Sequence, residues 1–483
     1  MLLFFIFVNY GVGYGSDFGR LWHTSKITFL FGPEYALNTF MPLASIYLFS
    51  IFLSSFGYNF NLLLLNFFIA LGSIIFFILI LKHFKIYNKM NIFTLIFLIT
   101  SPLFLSRLVD VRPYFLASLF ILASIFLFLK YLNNSQLIYL FMSAFFLSFA
   151  PFAQNLFLVG IIIPAIYFFI SRFTKQKMPF LHIFYYYLFF LLVFAPWFIH
   201  RFYIAQFDFY RSPITWMYSE GFWSKLNIDL WHRATPRTLE YYSYFISKSK
   251  LFFNSWLIFV FVLPSLFKKI TKEKILLFSW IVAFTLPIIF GKVPTETRYL
   301  FPLIFPISIL LGEGLTVVFS YISKNASKLF SVFLVLIFVI FIMFGFYQSV
   351  LILEQKYNSN TESIKDLETL KPSISKGNIY FRSHLIAPIF PENHVYSITD
   401  LDLEDAKEFI AWGNENNIYF IVNKYEIRYI ILYKAEFWEK DFHSWLTISD
   451  GREPLHYINI EKSECFKQIN ESRNYKLFEF ICK

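Results

Sequence analysis

The chain has 483 residues, of which 57% are hydrophobic, 23% aromatic and only 15% charged, and its mean hydropathy is +0.57. A soluble domain carries about 25% charged residues, and a soluble fold could not hide 69 phenylalanines. This composition excludes an ordinary soluble enzyme and indicates a protein that crosses a membrane several times.

The net charge of +11 is unevenly distributed along the chain. Residues 1–355 carry 26 Lys and Arg against 11 Asp and Glu, whereas residues 356–483 carry 16 against 20. Basic residues in short breaks between apolar runs are typical of membrane topology rather than of a nucleic-acid surface. We therefore expect membrane lipids, and no nucleic acid, as partners.

Apolar runs separated by polar breaks predict about eleven spans. The first run, 1–10, has no basic residue before it, so it does not resemble a cleavable signal peptide. It is shorter than the roughly 20 residues of a full span, which leaves open a truncated or a partly embedded helix. A second weak run, 92–105, is interrupted by Pro102. The clearer spans are predicted at residues 60–81, 113–132, 137–153, 155–170, 180–199, 251–267, 275–291, 300–322 and 329–353.

The charges of the breaks predict an orientation. Five breaks carry 13 Lys and Arg together and a single acid, Glu273, and the positive-inside rule places them in the cytoplasm. These breaks are KHFKIYNK, KYLNNSQ, SRFTKQK, KKITKEK and SKNASK. If the spans alternate strictly, the remaining segments face outward. These are residues 11–41, 106–112, the region around Gln154, 201–250, 292–299 and the tail from about 355.

The polar composition of the tail predicts a small extracytoplasmic α/β domain, residues 355–483. It follows a transmembrane module of residues 1–354. The stretch DLEDAKEFIAWGNENN begins with acids and has an apolar stripe, which predicts a helix capped within Asp400–Asp402. Aromatic and β-branched content predicts strands in IYFIVNK, IRYIILYK, LHYINIE and KLFEFICK. Cys465 and Cys482 lie on the side where a disulfide persists, although two free thiols would look the same in sequence.

One short segment, SRLVDVRPYFLA, places Arg107, Asp110 and Arg112 within six residues of an otherwise apolar region. Pro113 is suited to the first turn of a helix, so an outward-pointing helix N-terminus is expected here, and such a terminus attracts anions. Arginine binds phosphate through paired hydrogen bonds, which favours an anion-binding site. The alternative is that the arginines contact lipid headgroups while Asp110 pairs with one of them.

Two further outward segments carry charge at the membrane boundary. Asp17 lies in GYGSDFGRLWHTSKI, where no preceding strand supports a dinucleotide fingerprint. A solvated loop acid is its alternative role. Arg298 lies in KVPTETRYLFP, where an interfacial arginine beside Tyr299 in the aromatic belt is the alternative.

The longest outward segment, 201–250, contains Trp231 and His232 among several aromatic residues that suit sugar stacking or interfacial anchoring. His23, His200 and His232 have no spacing typical of a metal site, so no metal ligands are predicted, although a divalent ion is left open.

The order of these motifs resembles the GT-C superfamily of membrane glycosyltransferases over roughly residues 1–350. The segments that carry it, besides the acidic first loop, are MPLASIYLFSIFLSSFG, SPLFLSRLVDVRPYFLASLF, APWFIHRF and TRYLFPLIFPISILL. The nearest groups are protein O-mannosyltransferase-like enzymes and the aminoarabinose transferases of lipid A. The most specific motif is RxxDxRPY, in which the family usually has Glu before R-P-Y.

The resemblance implies a polytopic, all-α membrane fold in the cell membrane. It also implies an inverting transfer of a sugar from polyprenyl phosphate to a hydroxyl of a glycan, lipid or protein acceptor at the outer face. Both acids are implied to be catalytic: Asp17 matches the first-loop carboxylate, which serves as catalytic base or orients the acceptor, and Asp110 matches the second-loop acid. The implied donor-phosphate ligands are Arg107, Arg112, Tyr114 and Arg298, and weaker substrate contacts are His23, Tyr299, Trp231 and His232.

Two departures from the family concern the first loop. Phe18 follows Asp17 where many relatives have a second acid, so a metal bridging two first-loop carboxylates is not implied. Met41-Pro42 keeps only the proline of a His-Pro or Pro-Pro pair. A flippase for a lipid-linked sugar and a non-catalytic member of a membrane assembly remain as alternative functions.

Overall fold

A computed structural model describes residues 16–31, 43–56, 62–84, 88–109, 113–174, 177–199, 239–253, 255–289, 297–325, 328–381, 386–397, 400–401, 405, 415–434 and 460–482. The first part of the chain is helical in these ranges, and a small sheet is formed by the tail. The predicted span 1–10 lies outside them.

Helices account for nearly all of the described chain up to residue 368. They are α1 Ser16–Phe31, α2 Leu43–Phe56, α3 Leu62–Leu81, α4 Asn88–Thr100, α5 Pro102–Leu108, α6 Tyr114–Asn134, α7 Leu137–Ala153, α8 Ile162–Arg172, α9 Phe180–Ile199, α10 Leu239–Lys248, α11 Leu263–Leu266, α12 Lys272–Ile289, α13 Ile304–Asn325 and α14 Lys328–Glu368. Longer 3₁₀ turns cover Asn155–Ile161, Trp256–Phe261 and Thr297–Leu303.

Within the described residues, four helical stretches are long and apolar enough to cross a bilayer: Leu64–Leu81, Tyr114–Asn134, Thr297–Ile322 and Val335–Gln355. A fifth crossing results if α4 and α5, which meet at a bend of 60°, count as one span. Shorter apolar helices occupy other predicted spans, among them Leu137–Ala153 and Phe180–Pro196. The structure is thus a helical membrane bundle, and the total of eleven spans stays a prediction.

The bend between α4 and α5 follows from the sequence TSP at residues 100–102. Pro102 cannot donate a backbone hydrogen bond, and the Ser101 hydroxyl caps α5 by accepting a hydrogen bond from the Phe104 amide at 3.1 Å. Ser349 of α14 donates its hydroxyl to the Thr100 carbonyl at 3.0 Å. The polar groups exposed by the bend are therefore satisfied inside the bundle, as an apolar membrane requires.

Buried serines join neighbouring helices elsewhere. Ser124 of α6 and Ser143 of α7 share a hydrogen bond of 2.9 Å, and Ser73 of α3 donates to the Phe115 carbonyl of α6 at 3.2 Å. Ser45 of α2 donates to the Ala153 carbonyl of α7 at 3.1 Å. Small polar residues allow helix backbones to approach closely and to bond directly in a membrane.

Within the described residues, the predicted span 251–267 is not one continuous α-helix, and its crossing of the membrane stays a prediction. This segment forms 3₁₀ turns and the four-residue α11. The reason lies in its packing, because the Phe261 carbonyl lies against Gly314 of α13, where a built Cβ would stand 1.7 Å from that oxygen. A glycine permits this close approach, and the segment adapts its backbone to it.

The tail contains five strands: β1 Asn378–Phe381, β2 Val395–Tyr396, β3 Ile427–Tyr433, β4 Phe466–Glu471 and β5 Tyr475–Phe480. They form one sheet in the order β2-β1-β3-β5-β4. β1 pairs in parallel with β2 and β3, whereas β5 runs antiparallel to β3 and β4. A disulfide joins Cys465 to Cys482, whose Cα atoms are 5.0 Å apart.

Two of the four predicted strands are confirmed, in IRYIILYK and KLFEFICK. The third, IYFIVNK, is wrong because it belongs to α15, Glu415–Lys424. Its buried residues Ile418, Ile421 and Val422 have helical spacing, whereas Phe420 is 64% exposed. The end of LHYINIE is helical too, while its start and most of DLEDAKEFIAWGNENN lie outside the described residues. The strands β1, β2 and β4 were not predicted.

Candidate active site

Arg107 lies in the last turn of α5 and is only 8% exposed. Its guanidinium carbon is 5.2 Å from the centre of the Tyr114 ring, at the start of α6. A guanidinium over an aromatic face is attracted by the ring quadrupole, and this contact restrains the Arg107 side chain. The structure therefore brings together the first and last residues of the motif RxxDxRPY, while Asp110 and Arg112 lie outside the described residues.

The backbone at Arg107 is held by Asn66 of α3, a residue that belongs to none of the predicted site motifs. Asn66 is 2% exposed, and its side-chain amide donates to the carbonyls of Arg107 and Leu108, both at 3.2 Å. The last carbonyls of a helix have no partner within the helix, so Asn66 satisfies the end of α5. The available signal was an asparagine within the apolar run LLLLNFF, since polar groups inside spans are costly.

The N-terminus of α6 lies beside this arginine. Pro113 directly precedes Tyr114, and its φ of −70° is the value that its ring imposes. The helix continues for 21 residues, so its first free amide groups carry the positive end of a helix dipole. A buried guanidinium and a helix N-terminus thus meet at one place, and both favour an anion.

The 3₁₀ turn Thr297–Leu303 packs onto the same place. The Phe301 ring lies 5.9 Å from that of Tyr114 and 5.3 Å from that of Phe115. Arg298 precedes Phe301 by three residues, which is one turn of a 3₁₀ helix. Arg298 and Tyr299 are half-buried, with the guanidinium carbon 5.4 Å from the Tyr299 ring centre. Three predicted phosphate ligands, Arg107, Tyr114 and Arg298, therefore lie on neighbouring elements.

The first-loop acid lies on a helix rather than in an irregular loop. Asp17 is in the first turn of α1, Ser16–Phe31. His23, in the middle of α1, is 3% exposed and its ring centre is 5.0 Å from that of His394 in the tail. Its predicted substrate contact stays a prediction, as do those of Tyr299 and, outside the described residues, Trp231 and His232.

A metal site would need several ligands close together. Among the residues that the structure describes, no group of three or more His, Cys, Asp and Glu side chains is placed to hold an ion. The side chains of Asp17 and Asp110 do not belong to this set.

The apolar helices and the bent helix define a polytopic helical membrane protein, in which a buried arginine lies beside a helix N-terminus. The structure is similar to ArnT from Cupriavidus metallidurans bound to undecaprenyl phosphate, with a TM-score of 0.64 and 11% identity over 99% of this chain and 96% of that one. ArnT in the apo state gives a TM-score of 0.66 and 12% identity over 99% and 95%.

The archaeal oligosaccharyltransferase AglB from Archaeoglobus fulgidus, in complex with an inhibitory peptide and a dolichol-phosphate, has a TM-score of 0.60. It is 12% identical over 96% of this chain and 72% of that one. No protein-family model matches the sequence, and no curated protein matches it significantly. At these identities the likeness concerns the fold alone, and the fold is the one that the motif resemblance implied.

Proposed function

We propose that this protein is a membrane glycosyltransferase that moves a sugar from a polyprenyl phosphate to an acceptor hydroxyl. The observation that carries the proposal lies at the N-terminus of α6. There Arg107, Tyr114 and the 3₁₀ turn Thr297–Leu303, which contains Arg298, lie close together. Similar solved structures hold undecaprenyl phosphate and a dolichol-phosphate. A polyprenyl phosphate is an anion on an apolar tail, which suits an arginine site inside an apolar bundle.

The phosphate is the leaving group of the reaction. When the bond between the anomeric carbon and the phosphate oxygen breaks, the phosphate gains negative charge. Arg107, Arg112 and Arg298 stabilise that charge, and preorganised donors of this kind contribute about 2.7–4 kcal/mol each. Cleavage of the bond between the sugar and the lipid phosphate supplies the free energy for the transfer, so no nucleotide is required.

Asp17 acts on the acceptor. Its carboxylate accepts the proton of the acceptor hydroxyl while the oxygen attacks the anomeric carbon from the side opposite the phosphate, which inverts the configuration. A positioned base contributes about 10²–10⁴ in rate. Asp110 orients the arginines that flank it in RxxDxRPY.

The active site and the tail face the extracytoplasmic side of the cell membrane. The basic breaks support this orientation through the positive-inside rule. The disulfide between Cys465 and Cys482 supports it independently, since disulfides persist in oxidising compartments. The same proposal includes the division into a transmembrane module, residues 1–354, and an extracytoplasmic tail, residues 355–483. The tail is continuous with α14.

The test uses the full-length protein in lipid nanodiscs with a panel of polyprenyl-phosphate sugars labelled in the sugar. The parent should release polyprenyl phosphate and transfer the label to an added acceptor or to water. Asp17→Asn and Asp110→Asn should lower this turnover, whereas Asp405→Asn, which removes a tail ion pair with Lys424, should not. Turnover by both Asn variants at the parent rate would contradict the assigned chemistry, and movement of intact donor across the bilayer without bond cleavage would indicate a flippase.

A further inference from the structure

Helix α1 is held by the tail at two residues of one face. Lys26 is only 8% exposed, and its ammonium donates to the carbonyl of Pro391 and, at 3.4 Å, to that of Asn393. His23, one turn earlier, packs edge-on against His394. Both contacts join residues more than 360 positions apart in sequence, so they attach the end of the chain to its beginning.

The turn that receives Lys26 is itself tied to the sheet. The Asn393 side-chain amide donates to the carbonyls of Ser375 and Gly377, at 2.9 and 2.8 Å. The Ile379 amide of β1 donates to the His394 carbonyl at 2.8 Å. The carbonyls that Lys26 contacts therefore belong to a turn fixed by hydrogen bonds to the adjoining strand.

The sheet is attached on another side to the membrane bundle. Asp366, near the end of α14, accepts hydrogen bonds from the amides of Arg473 and Asn474 in the β4–β5 turn, at 2.9 and 2.8 Å. α14 is continuous from Lys328 to Glu368 and contains the span Val335–Gln355. The tail thus connects a membrane-spanning helix to α1.

A lysine is an expensive residue to bury at this contact. Burial lowers the pKa of Lys26, and nearby Glu392 opposes that change. A leucine would pack against the tail without any desolvation of charge, but it would not fix a direction. The ammonium bonds to two specific carbonyls, so it specifies how α1 lies on the turn.

We infer that the tail positions the catalytic carboxylate: Lys26, held by the 391–393 turn, sets the placement of α1 and through it that of Asp17. This inference rests on the proposed function. Asp17 lies nine residues from Lys26 on the same helix, about 14 Å along its axis at 1.5 Å per residue, so a shift of the helix moves both. Lys26 is a positioning residue and does not touch the substrate.

The test compares Lys26→Met, which keeps the apolar stem, with Lys26→Arg, which keeps the charge. Lys434→Met is the matched control, because it removes only an ion pair with Glu471 within the tail. Three quantities are measured on the full-length protein in nanodiscs: kcat with a labelled polyprenyl-phosphate sugar that the parent uses, Kd for undecaprenyl phosphate, and amide hydrogen exchange in residues 16–31.

Lys26→Met should lower kcat about 10- to 100-fold, since small misplacements of a reacting group have effects of this size. Its Kd for undecaprenyl phosphate should stay within about twofold of the parent, because the arginine site is elsewhere. Exchange in α1 should rise, Lys26→Arg should recover most of kcat, and His394→Ala should reproduce the Lys26→Met pattern from the tail side. Lys434→Met should match the parent.

Parental kcat and parental exchange in Lys26→Met would overturn the inference. A loss of undecaprenyl phosphate binding equal to the loss of kcat would also overturn it, because the effect would then be a general one on the fold. If the parent itself turns over no donor, the glycosyltransferase proposal fails, while hydrogen exchange in α1 still decides whether the tail holds this helix.

Discussion

Replacing Arg107 with methionine should weaken the binding of undecaprenyl phosphate without unfolding the bundle. Arg107 is 8% exposed and its guanidinium lies over the Tyr114 ring, so water competes weakly for it. A hydrogen bond to a charged group is worth about 1.5–3 kcal/mol, and about 1.4 kcal/mol corresponds to a tenfold change in Kd. We therefore expect Kd to rise roughly 10- to 150-fold.

The lysine variant separates charge from shape at the same position. Lysine keeps the positive charge but lacks the planar fork that binds two phosphate oxygens and stacks on a ring. Arg107→Lys should therefore bind with a Kd between those of the parent and Arg107→Met. Tyr114→Phe keeps the ring under the guanidinium, so a loss of affinity for undecaprenyl phosphate in that variant would indicate that the Tyr114 hydroxyl contacts the phosphate.

The assay is a titration of the full-length protein in nanodiscs with undecaprenyl phosphate, followed by native mass spectrometry, with Tm measured on each variant. Arg428→Met is the matched control, since Arg428 is exposed and pairs with Glu479 on the sheet of the tail at 2.9 Å. An unchanged Kd in Arg107→Met together with a lowered Tm would refute the reasoning. Arg107 would then be a packing residue of the α5–α6 junction.

Three further predictions concern stability. Gly314→Ala should cost about 1–3 kcal/mol or more, because its Cβ would stand 1.7 Å from the Phe261 carbonyl oxygen; Tm measures this. Because of His83, Tm should decrease as the pH is lowered below about 6.5, the ordinary pKa of histidine. Burial, with help from neighbouring lysines, lowers the pKa of His83, and Asn133 donates to its Nδ1 at 2.9 Å. Asp366→Asn should cost about 1 kcal/mol and raise hydrogen exchange in the β4–β5 turn.

Each of these has its own control. Gly72→Ala would meet only the flexible end of Leu119 at 3.2 Å, so it should change Tm little, and an equal loss in both glycine variants would contradict the packing argument. For His83, the folded-state pKa lies below the unfolded one, so its stabilising effect is present above pH 6.5 and is lost as pH falls. His83→Gln should flatten that part of the profile. Unchanged exchange in Asp366→Asn would show that α14 does not hold the turn.

The helical bundle could be predicted because its signal is composition over long windows. Apolar runs of about 20 residues have few alternatives in a membrane, and the positions of α3, α6, α7, α9 and α12 followed from them. The broken helix of residues 251–267 could not be predicted, because hydropathy does not report a close backbone contact such as that at Gly314. Within the tail, IYFIVNK is rich in strand-forming residues, but tertiary packing of its helical stripe decided the outcome.

The candidate site was predictable as a set of residue types and not as an arrangement. RxxDxRPY and the RYL of residues 298–300 are visible as charge at membrane boundaries, and the structure places Arg107, Tyr114 and Arg298 on adjacent elements. The contact of α1 with the tail had no comparable sequence signal. Lys26 and the turn at 391–394 are separated by most of the chain, and no local pattern links them.

The bend at Ser101 depends on polar side chains that form hydrogen bonds to the helix backbones. A straight continuation of α4 would carry Arg107 away from its observed place, and the 60° turn directs α5 toward Tyr114 instead. Ser349 bonds the carbonyl at the bend, and Asn66 bonds the carbonyls at the end of α5. Because unsatisfied backbone groups cost several kcal/mol each in hydrocarbon, these two side chains stabilise the bent path. Polar residues inside apolar runs therefore mark either contacts between helices, as at Ser124 and Ser143, or helix ends, as at Asn66.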